Sequence, residues 1–297
     1  MRIFTIPRVR LLVFSPKAKT MAVIGQFRFF FAVPPIFAIL STFVAVRNYD
    51  IKELFLVTLS FVLIWGFMSS VNNTYDVKTD TDSQLMRTQN PLVTRELSIR
   101  EARIMNLLLP ALSLVIGVFA GPYWIGLPVI TILLVALYDL KPFRAKDRPL
   151  GFLVAPLSQC LPFVFGYAVT TSSFALPLWA LCVSTFLYFN GVMVTRFLPD
   201  REIDLRFGIR NFSTVYGAEA TRRVDMASTV LTALLLMAGV FAGGLSIIGV
   251  PILLISVALQ PRTLAQGTEA LRNPSVFRKF AIGMISNAAS MALSMVL

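Results

Sequence analysis

No histidine occurs anywhere in this chain. That absence excludes Ser-His-Asp and Cys-His nucleophilic catalysis, HExxH zinc chemistry and axial His ligation of haem. Any catalysis has to run on carboxylates, amides, Tyr, Lys and Arg. Cysteine is nearly absent as well. Cys160 and Cys182 each fall inside an apolar block, so no disulfide framework is expected. Charge is also scarce: Asp, Glu, Lys and Arg make up only 14% of the 297 residues, where a soluble domain carries roughly a quarter.

What fills the chain instead is apolar residues, 56% of the total, gathered in long blocks. Such blocks are the signature of membrane-spanning helices. They fall at about 28–46, 53–72, 104–121, 124–140, 151–171, 175–197, 226–243, 246–260 and 278–297. Each is near the ~20 residues that cross a bilayer, the fourth and eighth being short. The expected fold is therefore all-α, a polytopic membrane protein of nine transmembrane helices. Residues 1–27 read as a basic cytoplasmic leader, because the apolar patch Leu11–Phe14 is too short for a signal-peptide core.

An odd number of spans puts the termini on opposite sides, and the charges then sort by face. Of the 27 Lys and Arg, 25 fall on one side, and so do 13 of the 15 acids. Arg47, Lys52, Asp50 and Glu53 are the exceptions. The positive-inside bias makes the charged face cytoplasmic, in a multi-pass protein of the cell membrane. A net charge of +12 then serves topology and attraction to anionic lipid or substrate, and no soluble basic domain is present to bind nucleic acid. Two cytoplasmic loops, 73–103 and 196–225, are longer than turns. The first ends in Ser98-Ile99-Arg100-Glu101, a capping box that starts the third span. Both loops open with acids spaced by four, a hint of internal duplication.

Those acids carry the chemistry. Asn72, Asp76 and Asp80 are spaced i, i+4, i+8 and share one face of a helix. Asp200 and Asp204 form a second i, i+4 pair. Two carboxylates one turn apart repel unless a cation sits between them. Oxygen-only ligands suit Mg²⁺, which keeps several waters and is usually shared with substrate phosphates. Between the pairs lies Tyr138-Asp139-Leu140-Lys141-Pro142-Phe143-Arg144-Ala145-Lys146. Its cations can grip phosphate oxygens, although a short cytoplasmic loop is expected to be basic for topology alone. Arg28, Arg87 and Arg206 are further candidates. An ion-coupled secondary transporter is the alternative, since membrane-embedded carboxylates and a possible repeat fit it too. Against it, the acids lie at the cytoplasmic border and not near mid-membrane.

Asn72-x-x-x-Asp76-x-x-x-Asp80, followed by Arg87-Thr88-Gln89-Asn90-Pro91-Leu92, resembles the first signature of the UbiA superfamily of intramembrane prenyltransferases. Asp200-x-x-x-Asp204 with Gly208 resembles the second, and Tyr138 to Gly151 is similar to the stretch between them. The resemblance covers residues 28–297 as one transmembrane domain, nine helices around a central cavity with cytoplasmic cap loops. It departs from the family at Asn73, where Asp is usual, and at Asp139, where many members have Ser. The resemblance implies Mg²⁺-dependent transfer of a polyprenyl group from a prenyl diphosphate to a lipophilic acceptor (aromatic, carotenoid or lipid), with membrane lipid as surroundings. It implies metal ligation by Asn72, Asp76, Asp80, Asp200 and Asp204, with Asp76 and Asp200 essential to turnover and Tyr138 beside the bond that breaks. Arg28, Arg87, Lys141, Arg144 and Lys146 are implied as diphosphate-binding residues.

Overall fold

The computed structural model describes residues 50–83, 86–170 and 176–242, with isolated helical positions 20, 22, 23, 36, 39, 40 and 43 before them. Every regular element among the described residues is helical. The elements are α1 (Ile51–Asp82), α2 (Ile99–Ala120), α3 (Gly126–Asp139), α4 (Val154–Thr170), α5 (Leu176–Arg196), α6 (Arg201–Arg206) and α7 (Phe212–Phe241), with short 3₁₀ turns at Met86–Thr88, Ala145–Asp147 and Gly151–Leu153. The expected spans at 246–260 and 278–297, most of 28–46, nearly all of the leader, and Arg28 lie outside the described residues.

Three described helices, α1, α2 and α7, are long and apolar enough to cross a bilayer, while α3 is a shorter apolar helix. Hydrophobic side chains such as Leu107, Phe119, Leu133 and Phe241 stand exposed on their outer faces. On a helix in lipid such faces need no partner.

Two bounds differ from the sequence reading. α1 does not stop at residue 72 but continues for ten more residues, so the first acid motif is helical and not loop. No glycine or proline interrupts 72–82, and Asp50 caps the start of the helix by accepting from the Lys52 N–H at 2.8 Å. Likewise α7 begins at Phe212, well before the apolar block, and bends at Gly217, whose φ of 85° is left-handed. Only glycine adopts that conformation without strain. The capping box forms as the sequence indicates, with Ser98 and Glu101 exchanging hydrogen bonds.

Helices that share lipid cannot rely on the hydrophobic effect to associate, so small residues and polar contacts hold them. Ser60 on α1 and Ser113 on α2 each donate from Oγ to the other's carbonyl, at 2.9 and 2.8 Å. Such interhelical bonds contribute on the order of 0.6 kcal/mol each. Gly191 lets α5 approach α7, since a Cβ there would stand 2.5 Å from Asp225 Oδ1. An apolar core of Phe61, Ile64, Val71, Leu127 and Val135 joins α1 to α3, with Ile39 and Phe43 packed into it and Phe43 stacked on Trp124. That core fixes the angle at which the polar end of α1 meets the end of α3.

Candidate active site

Asp76 and Asp80 occupy the last two turns of α1, with Asn72 one turn earlier on the same face. Asp200 and Asp204 lie at the start of α6, where the Asp204 N–H donates to the Asp200 carbonyl at 2.8 Å. The two motifs, far apart in sequence, are brought together by a short link. Ser83, just beyond α1, donates from Oγ to Asp200 Oδ1 at 2.7 Å. Lys78 Nζ also sits over the Phe207 ring, 5.3 Å from its centroid.

The basic loop closes a third side. Lys146 is buried, 7% exposed, and its Nζ lies 2.6 Å from Asp139 and 2.8 Å from Asp76. Arg144 reaches Asp76 at 3.3 Å and Asp147 at 2.5 Å. The Arg210 N–H donates to the Asp147 carbonyl at 3.1 Å, tying this loop to the α6–α7 connection. The loop can lie so close because residue 151 is glycine: a Cβ there would stand 1.8 Å from the Ala145 carbonyl oxygen.

Charge is concentrated unevenly. Burial opposes the charge on Lys146, but Asp76 and Asp139 more than offset it and hold the ammonium above its usual range. Asp204 is pushed up to about 7 by burial and by the neighbouring carboxylates of Asp200, Asp76 and Asp147, against a hydrogen bond from Asn211. A cation bound beside Asp204 would offset both the burial and the neighbouring carboxylates and favour its charged form.

Two asparagines hold the second member of each pair. Asn90 donates from Nδ2 to Asp80 Oδ2 at 2.7 Å, while its Oδ1 accepts from the Leu92 N–H. Asn211 donates to Asp204 Oδ2 at 2.6 Å, while its Oδ1 accepts from the Thr214 N–H. The two acid pairs thus share one kind of support, an asparagine amide donating to the second carboxylate. Asn90 stands inside the first motif, but Ser83 and Asn211 carried no sequence signal. Asn73 is fully buried and offers its carbonyl to Asn90.

Below the carboxylates lies a chamber of about 90 Å³ between α1, α3, α4 and α5. Asn72, Tyr138, Asp139 and Arg196 form its polar end, and Trp65, Met68, Leu134 and Val192 are among its apolar walls. Asn72 donates to Asp139 at 3.2 Å, so one asparagine borders both the carboxylates and the chamber. Not every candidate joins this group. Lys141, Arg87 and Arg206 are exposed, and among the described residues no hydrogen bond or ion pair ties them to the carboxylates.

The oxygen-rich donor set fits Mg²⁺ in kind, although among the described residues no three acids gather as a ready-made cage. A divided set suits an ion that keeps waters and shares substrate phosphates.

Comparison with known proteins shows the fold and the family. The 4-hydroxybenzoate octaprenyltransferase of Shewanella piezotolerans is 27% identical over 246 residues, covering 82% of each chain. The protein of that name from Francisella tularensis subsp. mediasiatica is 23% identical over 193 residues, covering 65% of this chain and 66% of that one, just under two thirds of its length. Among solved structures, a UbiA homologue from Archaeoglobus fulgidus superimposes with a TM-score of 0.70 at 20% identity, over 94% of this chain and 99% of that one. The same homologue bound to DMAPP and Mg²⁺ gives 0.68, again at 20% identity, over 93% and 99%. The homologue from Aeropyrum pernix K1 gives 0.70 at 18% identity, over 89% and 97%. Residues 32–285 match the UbiA prenyltransferase family, and the chain belongs to that family.

Proposed function

We propose that this protein transfers a prenyl group from a prenyl diphosphate to a lipophilic acceptor, with Mg²⁺ held between the two aspartate pairs and the active site facing the cytoplasm. The observation that carries this reading is one juxtaposition: carboxylates of α1 and α6 joined through Ser83 to Asp200, directly above an apolar chamber that ends at Asn72, Tyr138 and Asp139.

Bound Mg²⁺ supplies neutralisation of the diphosphate and of the charge that gathers on it as it leaves. Asp76, Asp80, Asp200 and Asp204, with Asn72, supply the oxygen ligands, and Asn90 and Asn211 keep two of those carboxylates oriented. Arg144 and Lys146, already beside Asp76, stabilise the departing anion by charge-assisted hydrogen bonds. Tyr138 sits at the boundary between the polar site and the chamber, where the C1–oxygen bond breaks. That bond parts heterolytically and its electron pair stays with diphosphate. An electron pair of the acceptor then closes on C1, and the proton the acceptor loses leaves with the released diphosphate. Apolar walls at Met68, Leu134 and Val192 keep water from quenching the allylic cation. An ion-coupled transporter is the weaker reading, because Asp76 and Asp80 lie in the last two turns of α1 and not at its middle.

The test is diphosphate release by purified protein supplied with labelled prenyl diphosphates, Mg²⁺ and a panel of acceptors. Turnover is expected to need the metal and to collapse in Asp76→Ala and Asp200→Ala. Full turnover in both variants, or in excess chelator, overturns the reading.

A further inference from the structure

Both oxygens of the Asp76 carboxylate are engaged by cations of the basic loop. Lys146 Nζ lies 2.8 Å from Oδ1 and 2.9 Å from Oδ2, and Arg144 approaches Oδ1 at 3.3 Å. A metal ion and an ammonium sharing one carboxylate repel each other at close range, and a shielded site screens that repulsion poorly. Metal ligation by Asp76 therefore requires these cations to draw back from it.

Each has a second carboxylate to draw back to. Arg144 is shared with Asp147 and Lys146 with Asp139, neither of which belongs to the two aspartate pairs. Arg144 is partly exposed, so water can take up some of its charge. Lys146 is buried, and a buried ammonium has to keep a carboxylate partner. Asp139, 3% exposed at the end of α3, is placed to be that partner. Its Oδ1 accepts from Lys146 at 2.6 Å and from Asn72 at 3.2 Å, and among the described residues no hydrogen bond reaches its Oδ2. The open oxygen belongs to the same carboxyl group, so a small shift of Nζ exchanges Asp76 for it. Serine, which many family members have at this position, could not hold the ammonium's charge.

We propose that Asp139 is a positioning residue for metal binding: it draws Lys146 off Asp76, so that Asp76 can ligate Mg²⁺ while the ammonium stays at the site to meet diphosphate. The inference rests on the prenyl-transfer reading above and adds to it the rearrangement that opens the site. In a chain without the Asp139 charge, Lys146 stays on Asp76 and competes with the metal for it.

The experiment reads metal binding and not turnover. Purified protein is titrated with Mg²⁺ alone and with Mg²⁺ plus inorganic diphosphate, and the midpoint of the thermal stabilisation is measured. Asp139→Asn keeps the carbonyl oxygen that accepts from Asn72 but loses the charge that holds Lys146. Its midpoint with Mg²⁺ alone is expected to rise about 10-fold, the lower end of what groups behind a metal ligand contribute. Diphosphate should shrink that defect, because its oxygens offer Lys146 another partner. Combining Asp139→Asn with Lys146→Met removes the competing cation, and the midpoint is expected to return to the wild-type value or below.

A purely structural role for Asp139 predicts instead a double variant as weak in Mg²⁺ as Asp139→Asn. That result, or a wild-type midpoint in Asp139→Asn, overturns the inference while leaving prenyl transfer intact. If Asp139→Asn does not fold, the double variant decides alone: a midpoint above the wild type overturns the inference, and one at or below it supports the inference. A wild type stabilised only when diphosphate is present overturns it as well, because phosphate oxygens and not Asp139 then draw Lys146 away. Mg²⁺ that fails to stabilise the wild type under either condition overturns both readings.

Discussion

Asn211 donates through Nδ2 to Asp204 Oδ2 at 2.6 Å, and Asn90 stands to Asp80 in the same way at 2.7 Å. Each asparagine is itself held by a backbone N–H at its Oδ1, so its amide cannot turn freely. The second carboxylate of each pair is thus oriented by a residue that is itself oriented. Groups behind a metal ligand commonly change metal affinity 10- to 100-fold when lost. Asn211→Leu and Asn90→Leu are each expected to raise the Mg²⁺ concentration for half-maximal diphosphate release by roughly 10-fold or more. An unchanged Mg²⁺ dependence in both would show that the asparagines serve only loop structure.

The elevated Asp204 gives a pH signature in the metal-free protein. Its folded value of about 7 lies above the ordinary carboxylate value, so the folded state holds a proton that the unfolded chain has already released. The resulting stabilisation is full below pH 3.8 and is lost as pH rises through about 7. Metal-free protein in detergent should therefore melt higher at pH 5.5 than at pH 8, and Asp204→Asn should flatten that difference. Protons also compete with metal for this carboxylate. Apparent Mg²⁺ affinity should rise between pH 6 and 7.5, with proton release measurable by calorimetry in buffers of different ionisation heat.

Lys146 lies between Asp139 and Asp76, with all three side chains largely shielded from water. Removing one partner from a buried ion pair leaves an uncompensated charge, at a cost of roughly 3–5 kcal/mol. Lys146→Met is expected to lower the melting temperature sharply. Adding Asp139→Asn to that variant should recover part of the loss without restoring diphosphate release. Recovery of turnover in the double variant would show that Lys146 serves packing alone.

Gly151 tests whether the basic loop must lie where it does. An alanine Cβ there would collide with the Ala145 backbone, which cannot yield as a flexible side chain would. Gly151→Ala should push the Ala145–Asp147 turn away and separate Lys146 from Asp76. The expected cost is about 1–3 kcal/mol of stability, with a lower rate of diphosphate release at saturating donor. A variant with wild-type melting and turnover would mean that this turn is free to move.

Much of this molecule is written locally in the chain. Apolar blocks of bilayer length determine where the helices lie, because a helix in lipid must satisfy its own backbone, although α1 and α7 run ten or more residues beyond their blocks. The i, i+4, i+8 spacing of Asn72, Asp76 and Asp80 already places them on one face, since helical geometry alone requires it. The capping box at Ser98 is equally local, and so is the lack of histidine that leaves carboxylates to do the chemistry. Contacts between distant segments have no such local rule. Nothing in the spacing says that Ser83 will bridge to Asp200, or that Asn211 will hold Asp204. Asp139 read as a departure from the family pattern, yet only the packing of α3 against the basic loop shows that it pairs with Lys146. The chamber, with Gln159 and Trp65 on its wall, likewise exists only because four helices enclose it. Periodicity and spacing determined the elements and the faces of the acids, because those depend on neighbours in sequence. Which carboxylate meets which cation was decided by tertiary packing, because it depends on neighbours in space.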